Sequence, residues 1–93
     1  MSLEKEEIVF KRIIKRDGRQ MEFAPTKIIA ALSKSLMATK EGDSQTASEL
    51  CPLVLEELGK LTTGEYPTVE EVQDAAERAL KQAGYLQSAR AYI

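Results

Sequence analysis

A hairpin signal near the amino terminus constrains the fold more than any other feature of the sequence. Asp17-Gly18 stands between two short runs of strand-forming residues, and such a pair predicts a two-residue turn in which both central residues have positive φ. One strand would end at Arg16, and the next would run over residues 19–23. A two-stranded hairpin is marginal by itself, so it requires a third strand or supporting helices.

The two-residue turn would place Arg16 opposite Arg19. In the same register, Ile14 would lie opposite Met21. Because side chains alternate along a strand, both arginines would share one face with Ile14, Met21 and Phe23. Like charges that face each other are destabilising. We therefore expect these arginines at the rim of a packed apolar surface, as one half of an anion site. A solvated basic surface is the alternative.

The other half of this anion site is predicted at the start of the first helix. Pro25 fits the first helical position, where its missing N–H would be unpaired in any case. Lys27 then lies in the first turn, although the helix dipole disfavours a cation there. Free N–H groups at the start of a helix readily bind phosphate. Cations at two adjoining places therefore predict a site for a phosphate-like anion.

The composition indicates one soluble globular domain. The chain has 93 residues, of which 43% are hydrophobic and 30% charged, enough for one modest core. No apolar run reaches the roughly 18 residues of a membrane span, and we expect no signal peptide. The single cysteine, Cys51, excludes an internal disulfide and fits a reducing compartment, so we expect a cytoplasmic protein. The absence of histidine excludes the usual zinc ligand sets.

The charges divide the molecule into a basic hairpin region and an acidic remainder. Residues 8–27 are mainly basic, whereas residues 41–78 are mainly acidic and carry only Lys60 and Arg78 as cations. A duplex-binding domain usually spreads its positive charge along a stripe, so this distribution favours a compact anionic ligand over a polymer. Single-stranded nucleic acid would need exposed aromatic rings for stacking, and the chain holds only three tyrosines and two phenylalanines.

Apolar residues at helical spacing predict four helices after the hairpin. These are expected at residues 25–38, 44–61 and 68–83, with a last helix from Tyr85. Thr68 and Glu71 form a capping box at the start of the third helix, and Gly84 is its expected terminator. Residues 65–67 are extended and offer a third strand. The predicted fold is α+β, with a four-helix bundle capped by a small sheet of two or three strands.

The sequence resembles a known family at these positions. Lys-Arg-Asp-Gly-Arg at residues 15–19, followed by Phe23 and by Lys-Ile at 27–28, resembles the motif that opens the ATP-cone domain. Residues 68–74 and 89–93 resemble its second and third blocks, in the same order and spacing. The resemblance covers nearly the whole chain. It agrees with the bundle and sheet predicted from the residues alone.

The resemblance implies a non-catalytic domain that binds ATP or dATP, with Mg²⁺ entering on the nucleotide. Such domains act as allosteric sensors, typically at the start of ribonucleotide reductase large subunits. The expected parent protein is a ribonucleoside-triphosphate or -diphosphate reductase, whose catalytic domain or subunit would be the partner. Homo-oligomerisation stays open, and no membrane or nucleic-acid partner is expected. Residues 1–7 are expected to be flexible and residues 8–93 to form the domain, as a fragment of a longer protein.

The resemblance also implies a set of nucleotide-binding residues. They are Ile14, Lys15, Arg16, Arg19, Lys27, Ile28 and Thr68. The basic members would surround the triphosphate, the two isoleucines would line the adenine, and Thr68 would complete the pocket. Met21 and Ala24 occupy positions near the base where family members often carry acidic or amide side chains. The preference between ATP and dATP therefore stays open.

Two other functions remain open from the sequence. One is a helical protein-interaction module of the same fold that has lost its ligand. The other is a single-stranded nucleic-acid binder that uses the basic hairpin. The sequence contains no Gly-x-x-x-x-Gly-Lys-Ser/Thr loop of the kind that cradles phosphates in nucleotide hydrolases, so hydrolysis is not expected.

Overall fold

A computed structural model of the protein describes residues 10–92. The expectation that residues 1–7 are flexible concerns a segment outside this range. The described elements follow in the order β1 (Arg12–Ile14), β2 (Gln20–Glu22), α1 (Pro25–Ala38), α2 (Ser44–Leu61), α3 (Val69–Gln82) and α4 (Leu86–Ala91). The predicted α+β fold, with four helices and a small antiparallel sheet, is confirmed. No helix within residues 10–92 is both long and apolar enough to cross a bilayer.

The hairpin forms, but its predicted register is wrong by one residue. Met21 pairs with Ile13 and not with Ile14. The loop therefore holds three residues, and the N–H of Gly18 donates to the carbonyl of Lys15 across 2.9 Å. In this loop only Gly18 has a positive φ, at 89°. The connection is a type I turn followed by a glycine bulge, not the predicted type I′ turn.

The side chain of Asp17 explains why the three-residue loop forms. Its carboxylate accepts the backbone N–H of Arg19 at 3.0 Å and the Nε–H of the same residue at 2.7 Å. An aspartate that binds the backbone two residues later stabilises a turn with ordinary φ at its own position. The predicted pair of facing arginines is consequently wrong, because Lys15 lies opposite Arg19 and Arg16 lies in the loop.

The change of register exchanges the two faces of the hairpin. A slip of one residue moves every side chain of a strand to the opposite face. Ile13, not Ile14, therefore shares a face with Met21 and Phe23, and this face packs towards the bundle. Phe23 is 9% exposed. Its ring meets that of Phe10 edge-on, with 5.7 Å between the ring centroids. Phe23 thus anchors the hairpin in the core.

The third strand is reduced to one bridge in the described part of the chain. The N–H of Ile14 donates to the carbonyl of Pro67 at 2.9 Å, and Ile14 forms an isolated parallel bridge with Thr68. The sheet of residues 10–92 therefore consists of the two strands β1 and β2. This contact is nevertheless important for the site, because it ties the end of β1 to the residue that caps α3.

The helices enclose one hydrophobic core, and α2 packs against both α1 and α3. The largest fully buried apolar side chains include Leu32, Leu36, Val54, Leu58 and Leu80. Burying each such side chain contributes about 1.5–3 kcal/mol. The buried alanines of α3, at 75, 76 and 79, are fully shielded from solvent and allow close approach of the neighbouring helices.

The predicted start and end of α3 are confirmed. The N–H of Glu71 donates to the Thr68 hydroxyl at 3.1 Å, and the N–H of Thr68 donates to the Glu71 carboxylate at 2.9 Å. Gly84 follows the helix with φ of 93°, as a left-handed terminator requires. At the start of α2, Asp43 and Thr46 form a second reciprocal cap.

Glu41, in the loop between α1 and α2, caps α4 from a distance in sequence. Its carboxylate accepts the N–H of Ser88 at 2.8 Å and the Ser88 hydroxyl at 2.7 Å. The Ser88 hydroxyl also lies 2.7 Å from that of Thr39. The Ser88 side chain, together with the backbone N–H groups of Ser88 and Gln87, lowers the pKa of the Glu41 carboxyl below its usual value. The ionised form of Glu41 therefore holds the start of α4 to the loop that follows α1.

Replacing Glu41 by glutamine should change the acid sensitivity of the domain. The pKa of Glu41 is lower in the folded protein than the usual 4.5, so its stabilising effect is complete above that pH and is lost as the pH falls through the folded pKa. The wild-type melting temperature should exceed that of Glu41→Gln at neutral pH, and the difference should shrink in acid. Melting curves of both proteins between about pH 3 and about pH 7 test this. A difference that does not vary with pH would contradict it.

Candidate functional site

A cleft of about 180 Å³ lies between the hairpin and the helical bundle. Four separate parts of the chain contribute its walls, namely the hairpin, the start of α1, the start of α3 and the segment after α4. It is lined by Ile13, Lys15, Met21, Glu22, Phe23, Ala24, Lys27, Ile28, Val69, Val72 and Tyr92. Most of these side chains are apolar, and three are charged. The cleft thus combines an apolar surface with cationic groups.

The hairpin register determines which cation of the hairpin reaches the cleft. Lys15 lies on the same face as Ile13 and Met21, because alternate residues of a strand share a face. Its side chain is half-buried. The two-residue turn predicted from the sequence would have placed Arg16 on this face instead. Lys15 is therefore the basic residue that the observed hairpin directs to the cleft.

The second cation comes from the first turn of α1. Pro25 occupies the start of that helix, as predicted, and no side chain within residues 10–92 caps it. The first turn contains no acidic residue. Lys27 therefore adds its charge to an already positive helix end. The Lys27 side chain lines the cleft next to this positive helix end, although the Lys27 N–H itself donates to the carbonyl of Ala24 at 2.9 Å. A cation beside a positive helix end is an arrangement that favours anions.

The four predicted cations fall into two groups. Lys15 and Lys27 line the cleft, and neither forms an ion pair with another residue of the range 10–92. Arg16 instead pairs with Glu70 at 3.2 Å, and Arg19 pairs with Asp17 at 2.7 Å. Both arginines lie outside the cleft lining. The positive charge at the cleft thus comes from the two lysines, opposed by the single carboxylate of Glu22.

The other predicted site residues also divide between the cleft and its surroundings. Ile28 is buried and lines the cleft. Ile14 and Thr68 do not line it, and form the backbone bridge next to it. The position predicted for Ile14 at the cleft is taken by Ile13, as the corrected register requires.

Val69, Val72 and Tyr92 are lining residues that the sequence reasoning did not identify. Val69 and Val72 belong to the apolar stripe of α3, which reads as core packing from the sequence. Tyr92 is half-buried, and burial raises the pKa of its phenol, with a smaller effect from nearby Cys51. The signal available for the two valines was the extended segment at residues 65–67, because its predicted pairing with the hairpin would bring the start of α3 beside it. The sequence held no such signal for Tyr92.

The chemistry of the cleft suits a ligand with a flat apolar part and an anionic part. Small-molecule sites usually enclose about 300–1,000 Å³, so this smaller cleft can hold only a portion of a nucleotide-sized molecule. The apolar lining residues suit the flat apolar part, and the two lysines suit the anionic part. No group of three or more histidine, cysteine, aspartate or glutamate side chains within the described range is arranged to hold a metal ion.

Comparisons with known proteins agree with this geometry. The family model described as "ATP cone domain" matches residues 11–93. The chain is similar to the ribonucleoside-diphosphate reductase subunit alpha of Chlamydia pneumoniae, with 36% identity over 88 aligned residues that cover 87% of this chain and 8% of the reductase. It is also similar to the vitamin B12-dependent ribonucleoside-diphosphate reductase of Thermoplasma acidophilum, with 35% identity over 72 residues, covering 77% of this chain and 9% of that protein.

The chain spans less than a tenth of the length of each of these relatives. The similarity therefore concerns one domain of a much larger enzyme. The family match covers both strands, all four helices and every residue that lines the cleft. The chain belongs to the ATP-cone family of regulatory nucleotide-binding domains.

Proposed function

We propose that this domain binds ATP or dATP in the cleft between hairpin and bundle, and that it acts as a non-catalytic allosteric sensor. The observation that carries the proposal is the position of Lys15 and Lys27. Both lysines line a mainly apolar cleft, and neither forms an ion pair with an acidic residue within residues 10–92. A polyphosphate would neutralise both charges, and an adenine ring would cover the apolar walls.

In the proposed complex the base enters the cleft and the phosphates stay at its mouth. Phe23 and Ile28 are buried and form apolar parts of the wall, so they would contact the ring. Lys27 is exposed and stands at the start of α1, where the helix dipole also attracts negative charge. Hydrogen bonds to charged groups contribute about 1.5–3 kcal/mol each. Phosphate contacts would therefore provide much of the affinity.

Arg16 is close enough in sequence to take part after a side-chain rearrangement. Its pair with Glu70 is highly exposed, with 72% and 57% of the two side chains accessible to solvent. Exposed ion pairs contribute only about 0–1 kcal/mol. We propose that Arg16 exchanges Glu70 for a phosphate oxygen when nucleotide binds. Arg19 holds the turn through Asp17, and in the proposal it adds positive charge at the mouth of the cleft without direct contact.

The regulated protein is proposed from the relatives. Both are named as ribonucleoside-diphosphate reductases, so we propose that this domain controls the catalytic domain or subunit of such an enzyme, in the cytoplasm. Mg²⁺ would arrive bound to the nucleotide phosphates, since it usually reaches protein sites together with substrate phosphates. In this proposal, nucleotide binding changes how the domain contacts its catalytic partner or a second copy.

Thermal melting tests the proposed binding. A ligand at one hundred times its dissociation constant raises the free energy of unfolding by about 2.7 kcal/mol. For a domain of this size, the melting temperature should rise by on the order of ten degrees. We expect this shift with ATP or dATP. No shift with either nucleotide, nor with pyrophosphate, would contradict nucleotide binding and leave a helical interaction module as the function.

A further inference from the structure

Among the cleft-lining residues of the range 10–92, Tyr92 is the one whose side chain can form hydrogen bonds without carrying a charge at neutral pH. The other polar lining side chains within the described range are Lys15, Lys27 and Glu22. A neutral hydroxyl can both donate and accept a hydrogen bond. The edge of a nucleic base and the hydroxyls of a sugar are neutral groups of the same kind, whereas phosphates suit ammonium groups. The two lysines thus suit phosphates, the Glu22 carboxylate can only accept hydrogen bonds, and Tyr92 can both donate and accept them without a charge.

The surroundings of Tyr92 place its ring on the bundle side of the cleft. It follows α4, and its backbone N–H donates to the carbonyl of Ser88 at 2.9 Å. Its ring packs against the hydrophobic core. Cys51 of α2 lies close enough to act electrostatically on the phenol, whose pKa burial raises. The lysines come from the hairpin and the start of α1, so Tyr92 reaches the cleft from a different element.

The Tyr92 hydroxyl forms no hydrogen bond with any residue in the range 10–92. Tyrosine hydroxyls usually find a hydrogen-bond partner where they are buried, and Tyr92 is half-buried. Tyr92 thus lines the cleft and carries a neutral donor and acceptor that has no partner in the described part of the protein.

We propose that Tyr92 contacts the nucleoside of the bound nucleotide, its hydroxyl forming a hydrogen bond with the base or sugar, and that this bond adds to the preference for a nucleotide over a bare polyphosphate. This proposal rests on the proposed binding of a nucleotide in the cleft. The lysines contact the phosphates, and Tyr92 adds a contact to the nucleoside from the segment after α4.

Calorimetric titration of wild type and Tyr92→Phe with ATP and with inorganic tripolyphosphate tests this division. The variant keeps the ring and removes only the hydroxyl. Losing one neutral hydrogen bond should weaken ATP binding by roughly 2- to 10-fold, and tripolyphosphate binding should not change. Tyr85→Phe is the matched control, because Tyr85 also packs against the core but does not line the cleft. It should bind both ligands as the wild type does.

The possible results separate this proposal from the proposed function. Unchanged ATP affinity in Tyr92→Phe, with normal binding by the wild type, would overturn the role of Tyr92 and leave nucleotide binding intact. Equal weakening of ATP and tripolyphosphate would also overturn it, because Tyr92 would then act only through the shape of the site. A wild type that binds neither ligand would overturn both proposals.

Discussion

Alanine at both Lys15 and Lys27 is expected to weaken ATP binding by at least about a hundredfold, because each lysine supplies a charged contact of about 1.5–3 kcal/mol and 1.4 kcal/mol corresponds to a factor of ten. Folding should be nearly unaffected. Lys27 is exposed, Lys15 is half-exposed, and neither pairs with an acidic residue in the described range. Surface substitutions of this kind usually change stability by less than about 0.5 kcal/mol.

Lys34→Ala is the matched control for this loss of charge. Lys34 lies on α1, as Lys27 does, and is exposed, but it does not line the cleft. Titration calorimetry should show nearly wild-type ATP affinity for Lys34→Ala. Similar weakening in this variant and in the double variant would mean that overall charge attracts the nucleotide. Wild-type affinity in the double variant would show that the cleft is not the binding site.

Phe23→Ala should have the largest effect on stability among the cleft residues. Phe23 is 9% exposed and packs edge-on against Phe10. Removing a buried phenylalanine ring costs about 3–5 kcal/mol, a large part of the 5–15 kcal/mol that stabilises a typical domain. The melting temperature should fall by roughly 15 °C or more. The hairpin would lose its anchor, and with it the position of Lys15, so nucleotide binding should be lost as well.

Met21→Ala provides the comparison for Phe23. Met21 lies on the same face of the hairpin and also lines the cleft, but it is 40% exposed. Its removal should lower the free energy of unfolding by no more than about 1 kcal/mol, since little apolar area leaves the core. Urea unfolding of the two variants measures the difference. Equal losses would contradict the role of Phe23 as the anchor of the hairpin.

The helices could be predicted from the sequence because their signals are local. The limits of α1 and α2 agree with the predicted ones, and the reciprocal cap between Thr68 and Glu71 forms as expected. Apolar spacing and capping chemistry depend on residues within one or two turns of each other. The way in which Glu41 caps α4 was not predicted, because the two segments are distant in sequence and meet only in the folded protein.

The hairpin register illustrates a limit of local reasoning. Asp17-Gly18 fits both a two-residue type I′ turn and a three-residue turn with a glycine bulge. The hydrogen bonds between the Asp17 carboxylate and Arg19 favour the second. A shift of one residue then exchanged Ile14 for Ile13 at the cleft. It also directed Lys15, and not Arg16, to this side of the sheet.

The site itself could be predicted only in part. Lys15, Lys27 and Ile28 belong to the cleft and lie in or beside the hairpin that the sequence singled out. Tyr92 reaches the cleft from the segment after α4. Val69 and Val72 reach it from the first turn of α3, where they belong to the row of apolar residues that packs into the core. Their contribution depends on how α3 and α4 pack against the hairpin. The spacing of apolar residues within one helix does not predict this packing.

The central claim is that a nucleotide occupies the cleft with its phosphates at Lys15 and Lys27. Titrating ATP into the isotopically labelled domain, with nuclear magnetic resonance detection of amide and lysine side-chain signals, tests both binding and location. The largest saturable changes should occur at Lys15, Lys27, Ile28, Val69 and Tyr92, which meet only at the cleft. The absence of saturable changes, or their concentration at residues that do not line the cleft, would contradict the claim.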